Sequence, residues 1–428
     1  TARESPLAKA ADLYVAAFLA QKATAADLAL CPTTQKLADL LFPRQGAAVP
    51  PELLASAETL CREARVLHWP LAFAGIFARG GFDCVLGNPP WERIKLQEEE
   101  FFASREPLVA EAKNKAERAQ RIQWLAEGVL TDRIHGRTEP REPNAAELRL
   151  HREFEMARRT AEAMSLFAHV SGKEGGRFAL TGVGDVNTYA LFAETILHLT
   201  ASAGRSGFIV PTGIATDDST KVFFGHLAEH GRLASLFDFE NREKIFPAVD
   251  SRMKYCLITL GPADAAALAF FLLRPDMLAD SRRRFSLSRD DFGLINPNTR
   301  TCPVFRSQAD AELTKKIYRN VPVLIEEGAG DDGPAKNPWG ISFSALFHMS
   351  GDSELFRDQT TASSLPLYEA KMMHQFDHRW ATYAWSSAKG EIDTADVTDA
   401  QKADPAFAIT PRYWVEERHV LGRLARVP

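Results

Sequence analysis

Residues 81–91 read Gly81-Phe82-Asp83-Cys84-Val85-Leu86-Gly87-Asn88-Pro89-Pro90-Trp91. The apolar run predicts a short buried strand that leaves its carboxyl end through an Asn-Pro-Pro-Trp turn. In open α/β sheets ligands sit at that end of the strands, so chemistry is expected at the turn. Two consecutive prolines remove two backbone donors, fix two φ angles and push each preceding residue into an extended conformation. Asn88 and Pro89 are therefore held stiffly. The turn presents the Asn88 side-chain oxygen and the Pro89 carbonyl in a fixed direction, beside the flat ring of Trp91. The competing reading is a plain turn with Trp91 as a packing residue; the strand that feeds the turn weighs against it.

Two fixed acceptors beside an aromatic ring suit an exocyclic amine on a planar base. Such an amine is a poor nucleophile because its lone pair is delocalised into the ring. Acceptors that grip its hydrogens favour the pyramidal form, which is electrostatic preorganisation without a strong base. Stacking on Trp91 would add about 1–3 kcal/mol.

The strand plus Asn88–Trp91 resembles motif IV of the amino-methylating DNA methyltransferases. Its continuation Glu92-Arg93-Ile94-Lys95 is similar to the large adenine-N6 enzymes of type IIG restriction–modification and related phage-defence systems. The resemblance implies that Asn88 and Pro89 hold the target amine, that Pro90 completes the catalytic turn, and that Trp91 stacks on a flipped adenine. It also implies S-adenosylmethionine as methyl donor and double-stranded DNA as partner, with restriction or defence subunits as further candidates.

Hydrophobic residues at 45% and charged residues at 25% describe an ordinary globular chain, and its 428 residues suggest two or three domains. No apolar run is long enough to predict a membrane span. Cys31, Cys61, Cys84, Cys256 and Cys302 are scattered and without metal-ligand spacing, which suits a reducing cytoplasm. A net charge of −5 argues against non-specific coating of nucleic acid, so any DNA contact must come from local basic surface. The chain begins at Thr1 without a methionine and ends just beyond an aromatic cluster, and is expected to be a piece of a longer protein.

Residues 7–30, Leu37 to Phe42 and Pro51 to Leu67 have helical spacing and lead to the strand at Phe82. His68, next to Trp69, reads as packing rather than as a zinc or catalytic group. No Phe-x-Gly-x-Gly turn, where this class binds S-adenosylmethionine, precedes Asn88. Gly182-Val183-Gly184 after the strand-like Arg177–Leu180 raises a circular permutation; a cofactor turn lying upstream of Thr1 is the preferred reading. Residues 92–170 are charged and helical, with Pro140 and Pro143 as breaks. They read as a solvated excursion laced with i,i+4 pairs, with DNA clamping or regulation as the alternative.

Asp185-Val186-Asn187-Thr188-Tyr189 and the helix it opens resemble motif V. The resemblance assigns Asp185, Asn187 and Tyr189 to a partial cofactor pocket. Phe208–Pro211 resembles the motif VI strand. A helix over 219–231, a strand over 233–239, and Lys244-Ile245-Phe246-Pro247 before the strand 255–260 complete the order. In the family, an aromatic at the Phe246 position meets the flipped base opposite the motif IV ring. The expected sheet has parallel strands ending in an antiparallel pair that includes the motif VIII strand, 255–260.

Beyond Gly261 the basic cluster Arg282, Arg283 and Arg284 is a candidate for phosphate contact, against a solvated linker. Asn337-Pro338-Trp339 lacks the second proline and a feeding strand, and reads as a loop. Pro366–Arg379 resembles a segment of the family's recognition regions, usually with glycine where Ala370 stands, which leaves the backbone there open. Lys371, His374, Gln375 and Arg379 are the candidate DNA contacts. Glu369 and Lys371, or His374 and His378, could belong to a metal site, but nothing completes a ligand set and no metal is assigned.

The resulting expectation is an α/β chain. Residues 1–265 carry part of a class I, Rossmann-like S-adenosylmethionine-dependent methyltransferase sheet with a helical insertion at about 92–170. Residues 266–428 form an α+β target-recognition domain. The expected activity is site-specific adenine-N6 methylation of DNA by base flipping. The alternatives are a catalytically silent recognition subunit or a restriction endonuclease fragment. The same turn also serves enzymes acting on RNA or on protein glutamine.

Overall fold

The computed structural model describes residues 5–44, 48–137, 142–328, 335–387 and 390–425; Pro140 lies outside them. The chain divides into two compact units, Thr1–Lys336 and Asn337–Pro428. The expected boundary at 265/266 falls inside the strand Ala265–Leu272 of the first unit's sheet.

That sheet has six strands: β1 (Phe82–Gly87), β2 (Thr200–Pro211), β3 (Leu233–Glu240), β4 (Lys254–Leu260), β5 (Ala265–Leu272) and β6 (Phe285–Ser288), in the order β1-β2-β4-β3-β5-β6. β1 is parallel to β2, and β3 is parallel to β5. β4, the strand likened to motif VIII, runs antiparallel to both of its neighbours. The sheet is therefore mixed α/β. β5 and β6 extend it beyond the expected strands: the run Ala265–Leu272 is apolar throughout and β-paired on both sides. Arg177–Leu180, by contrast, forms no strand, so nothing there feeds Gly182-Val183-Gly184 in the way a cofactor loop requires.

One face of the sheet is well covered. Helices Thr188–Leu199 and Lys221–Glu229 place Ala193, Ile196, Phe223, Phe224 and Leu227 against Phe208, Val210, Leu236, Ile258 and Leu268. Each large side chain buried in this way contributes about 1.5–3 kcal/mol. The other face is thinner, with Phe239, Tyr255, Ala269 and Leu272 buried there.

β1 is not the buried strand that its letters suggest. It pairs only with β2 among the described residues, Asp83 and Cys84 are exposed, and Leu86 is 81% exposed. Apolar composition encodes the tendency to be covered, but coverage needs a neighbour. Glycine sets how closely β1 meets its partners: a Cβ on Gly81 would sit 2.7 Å from Leu199 O, and one on Gly204 would sit 2.7 Å from Phe82 O.

The insertion differs from a solvated excursion. Phe102, Val109, Leu125, Leu130 and Phe154 form a separate buried core. The buried Glu147 carboxylate accepts from Leu130 N at 2.8 Å and from the Thr131 hydroxyl at 2.6 Å, capping the helix Leu130–Ile134. The i,i+4 pairs are present, as in Arg121–Glu117 and Arg158–Glu162. They decorate the outside of a packed unit. Helix Ala145–Ala168 is in turn tied to helix Pro6–Leu19, because Arg159 donates to the carbonyls of Phe18 and Ala20.

The second unit holds a three-stranded sheet of β7 (Phe356–Arg357), β8 (Ser364–Leu367) and β11 (Tyr413–Glu416), and a hairpin of β9 (Ala381–Ser386) and β10 (Glu391–Asp396). Its small core is Met372, Tyr383, Val397 and Ile409. Ala370 opens a 3-10 turn without a positive φ, so alanine fits where glycine is usual. No helix of the described residues is long and apolar enough to cross a membrane.

Candidate active site

Asn88 leaves the carboxyl end of β1, and its side chain makes no hydrogen bond among the described residues. Asn88 and Pro90 are exposed, Pro89 is buried, and Trp91 is half-buried. The Trp91 indole N–H donates to Ile209 O at 3.3 Å, fixing the ring on β2. Its centroid lies 6.5 Å from that of Tyr255 at an interplanar angle of 28°. Phe246 meets the same Tyr255 edge-on at 5.2 Å. Trp91 and Phe246, the two rings singled out in the sequence, are thus linked through a third ring that was not.

The turn is stitched to the start of helix Thr188–Leu199. Thr188 N donates to Glu92 O at 2.9 Å, and the Thr188 hydroxyl lies 2.9 Å from both Pro90 O and Glu92 O, with one proton to share between them. Asn241, fully buried, organises the Phe246 loop. Its amide donates to Phe246 O at 3.0 Å and Val249 O at 2.9 Å, and its oxygen accepts from Phe246 N at 3.0 Å. Thr188 stood within the quoted motif V stretch, and its hydroxyl at a helix start was the available signal. Asn241 and Tyr255 gave none, because their roles exist only once the loop and strands have folded.

Beside the turn opens a cleft of about 1030 Å³. Trp91, Arg93, Lys95 and Thr188 line one side, and Thr160 and Met164 of helix Ala145–Ala168 line another.

The three residues assigned to the cofactor pocket do not converge. Asp185 pairs with Lys95 at 2.7 Å, which holds its carboxyl below the usual range, and it lines a small cavity with Arg93 and His169. Tyr189 points into the core beside a different cavity of about 310 Å³, lined also by Thr212, Asp217, Asp238 and Lys254. Burial, then the charge of Asp217, pushes its phenol up to about 12. Asn187 pairs through its backbone with Arg93. These residues therefore do not fit a complete S-adenosylmethionine pocket.

On helix Thr188–Leu199, the Glu194 carboxylate is fully buried. Desolvation raises its pKa, but hydrogen bonds from His198, Thr181 and Leu180 N outweigh that and hold it below the usual range. His68, read as packing, bonds to Asp12 at 2.8 Å.

The candidate DNA contacts fall in both units. Arg282, on the connection between β5 and β6, is chelated by Asp280, whose carboxyl it draws down to about 2; Arg283 lies 3.9 Å from the same carboxylate. Arg284 follows in extended conformation. In the second unit Lys371 lies 3.4 Å from Glu369 and over the Tyr383 ring. Arg379 donates to the carbonyls of Lys402, Asp404 and Phe407, so its guanidinium braces a loop. His374 and Gln375 are exposed. Among the described residues no three His, Cys, Asp or Glu gather as metal ligands.

The family described as Eco57I restriction-modification methylase matches residues 29–122, the stretch that contains β1 and the Asn-Pro-Pro-Trp turn. No curated protein matches the chain. Among solved structures, the type IIG restriction endonuclease BpuSI is 13% identical, with 77% of this chain and 48% of that one covered at a TM-score of 0.23. A nuclease-deletion mutant of the type ISP restriction-modification enzyme LlaGI, in complex with a DNA substrate mimic, is 12% identical over 56% and 16% of the two chains, with a TM-score of 0.23. A chain from a type I restriction–modification assembly is 14% identical over 34% and 40%, also with a TM-score of 0.23. The chain spans less than half the length of each of these structures.

Proposed function

We propose that this chain carries the target-amine side of an adenine-N6 DNA methyltransferase of a restriction–modification or phage-defence system, together with a DNA-recognition unit. The observation that carries the reading is the Asn88 amide, uncommitted among the described residues and held in a double-proline turn at the carboxyl end of a parallel strand. The Trp91–Tyr255–Phe246 ring cluster beside it and the restriction–modification methylase family match over 29–122 support it.

On this reading the adenine is flipped from the duplex at a cost of a few kcal/mol of unstacking. Asn88 Oδ1 and Pro89 O accept from its amino group, and Trp91 and Phe246 bound the space for the ring. Thr188 holds the carbonyls of Pro90 and Glu92, so the acceptors need not reorganise during the reaction. On the same reading S-adenosylmethionine would be the methyl donor.

The test uses the intact protein with labelled S-adenosylmethionine and mixed-sequence DNA, digested afterwards to nucleosides. Label in N6-methyladenosine that is lost in Asn88→Ala is the expected result. DNA binding without any label, in wild type as in variant, would favour a silent recognition subunit.

A further inference from the structure

We propose that Phe376 is a wedge that inserts between stacked bases of double-stranded DNA. Its partner rests on the DNA reading above; its substance comes from one turn. His374 N donates to Asp377 O at 2.8 Å and Asp377 N donates to His374 O at 3.0 Å, closing a hairpin with Gln375 and Phe376 at its tip. Phe376 has φ +66°. A turn with a left-handed third residue favours glycine or asparagine at that position. A bulky residue there is a backbone outlier. The ring is also 99% exposed, the most exposed of the chain's large apolar side chains among the described residues. Strain and exposure at one side chain, with no ring contact among the described residues to offset them, point to a role outside the chain.

The mount is rigid. Trp380 N donates to Met372 O at 3.0 Å, and Met372 is fully buried. Asp377 accepts from Lys402 Nζ at 2.7 Å and from Arg379 N at 2.9 Å. The His374 ring lies 4.5 Å from that of Trp380. Arg379 braces the neighbouring loop from below. Burying Phe376 against its own unit would mean breaking this set, so the ring is held outward.

The surroundings identify the partner. The side chains of His374, Gln375 and His378 make no hydrogen bond among the described residues. Each can donate and accept, as base edges require. An apolar ring between unused polar groups suits an opened base step, where the wedge replaces a stacking neighbour and the polar groups take the exposed edges. An apolar protein pocket would leave those groups unpaired.

The experiment uses the intact protein and duplexes selected for binding from a random pool, so that it does not depend on methylation. 2-Aminopurine at successive steps reports unstacking. Wild type is expected to raise its fluorescence at one step. Phe376→Ala is expected to lose that rise and about tenfold or more in duplex affinity, Phe376→Trp to keep both, and a duplex already unstacked by a mismatch to restore the alanine variant. Phe376→Gly controls for folding: glycine suits the φ angle, so this variant keeps or raises the melting temperature and still loses the fluorescence rise. Wild-type affinity and fluorescence in Phe376→Gly would overturn the wedge. Methyl transfer by the same preparations separates the two readings. A Phe376-dependent distortion without transfer leaves the wedge and sinks the methyltransferase reading; transfer with Phe376→Gly unaltered in binding and fluorescence does the reverse. No duplex binding at all would sink both.

Discussion

Asn88-Pro89-Pro90-Trp91 and Asn337-Pro338-Trp339 are nearly the same words, and the fold uses them in opposite ways. In the second turn the Asn337 amide donates to Ile341 O at 2.7 Å and accepts from Ile341 N at 3.0 Å, closing its own loop, while Trp339 is 73% exposed. In the first the amide makes no hydrogen bond among the described residues, and the ring is the committed group, bonded to Ile209 O and packed by Tyr255. A side chain can serve a substrate only with donors and acceptors that the fold has not consumed. Residue type nominates a site; the unspent valence decides it.

The strongest way to break this comparison is to exchange the losses. Asn88→Ala is expected to lower the rate of methyl transfer by about 10²–10³-fold, the usual cost of removing one preorganised polar contact. Asn337→Ala is expected to leave the rate within about twofold and to lower stability by about 1 kcal/mol, since only a loop bond is lost. Equal effects on rate would refute the distinction.

The rings provide the next test. Trp91→Ala should weaken methylation by an amount equivalent to about 1–3 kcal/mol of stacking. Trp339→Ala should fall within about 0.5 kcal/mol in thermal unfolding, with no change in rate. A Trp339 effect as large as that of Trp91 would mean that exposure had been misread as idleness.

Thr188→Val sharpens the comparison by leaving the turn's own letters intact. Loss of the hydroxyl bond to the carbonyls of Pro90 and Glu92 should lower kcat by about 2–10-fold, the worth of one hydrogen bond, with KM for DNA nearly unchanged. A change in KM alone would place Thr188 in substrate binding instead.

The last test bears on stability rather than rate and concerns the helix behind the turn. The Glu194 carboxylate is held below its ordinary range, so its folded pKa lies below its unfolded one. The stability it contributes is complete above the unfolded value of about 4.5 and is lost as pH falls through the folded value. Glu194→Gln should cost about 1–3 kcal/mol at neutral pH and show a shallower loss on acidification than wild type. Parallel pH profiles in urea unfolding would remove Glu194 from that account.

Several features were legible because they follow from adjacent residues. The double proline announced a stiff turn, the helices within residues 7–30 and 51–67 showed their periodicity, and the strands at 208–211, 233–239 and 255–260 showed their apolar runs. Others were hidden for a physical reason. Leu86 has the composition of a core residue and the exposure of an edge, because burial belongs to a pair of elements and not to one. The charged surface of residues 92–170 concealed the core around Phe102 and Phe154, whose members come from separate helices. Asp185 and Tyr189 are four positions apart in the chain, yet one bonds outward to Lys95 and the other turns inward.

The sequence by itself determined where the chain is stiff: consecutive prolines fix Asn88 whatever surrounds it, because the constraint is covalent. Tertiary structure decided which polar groups remain free. Among the described residues it left the Asn88 amide open, spent that of Asn337, braced a loop with Arg379, tied Asp185 to Lys95, and pinned a strained Phe376 in water. Each of these outcomes depends on hydrogen-bond partners or packing neighbours brought together only by the folded backbone.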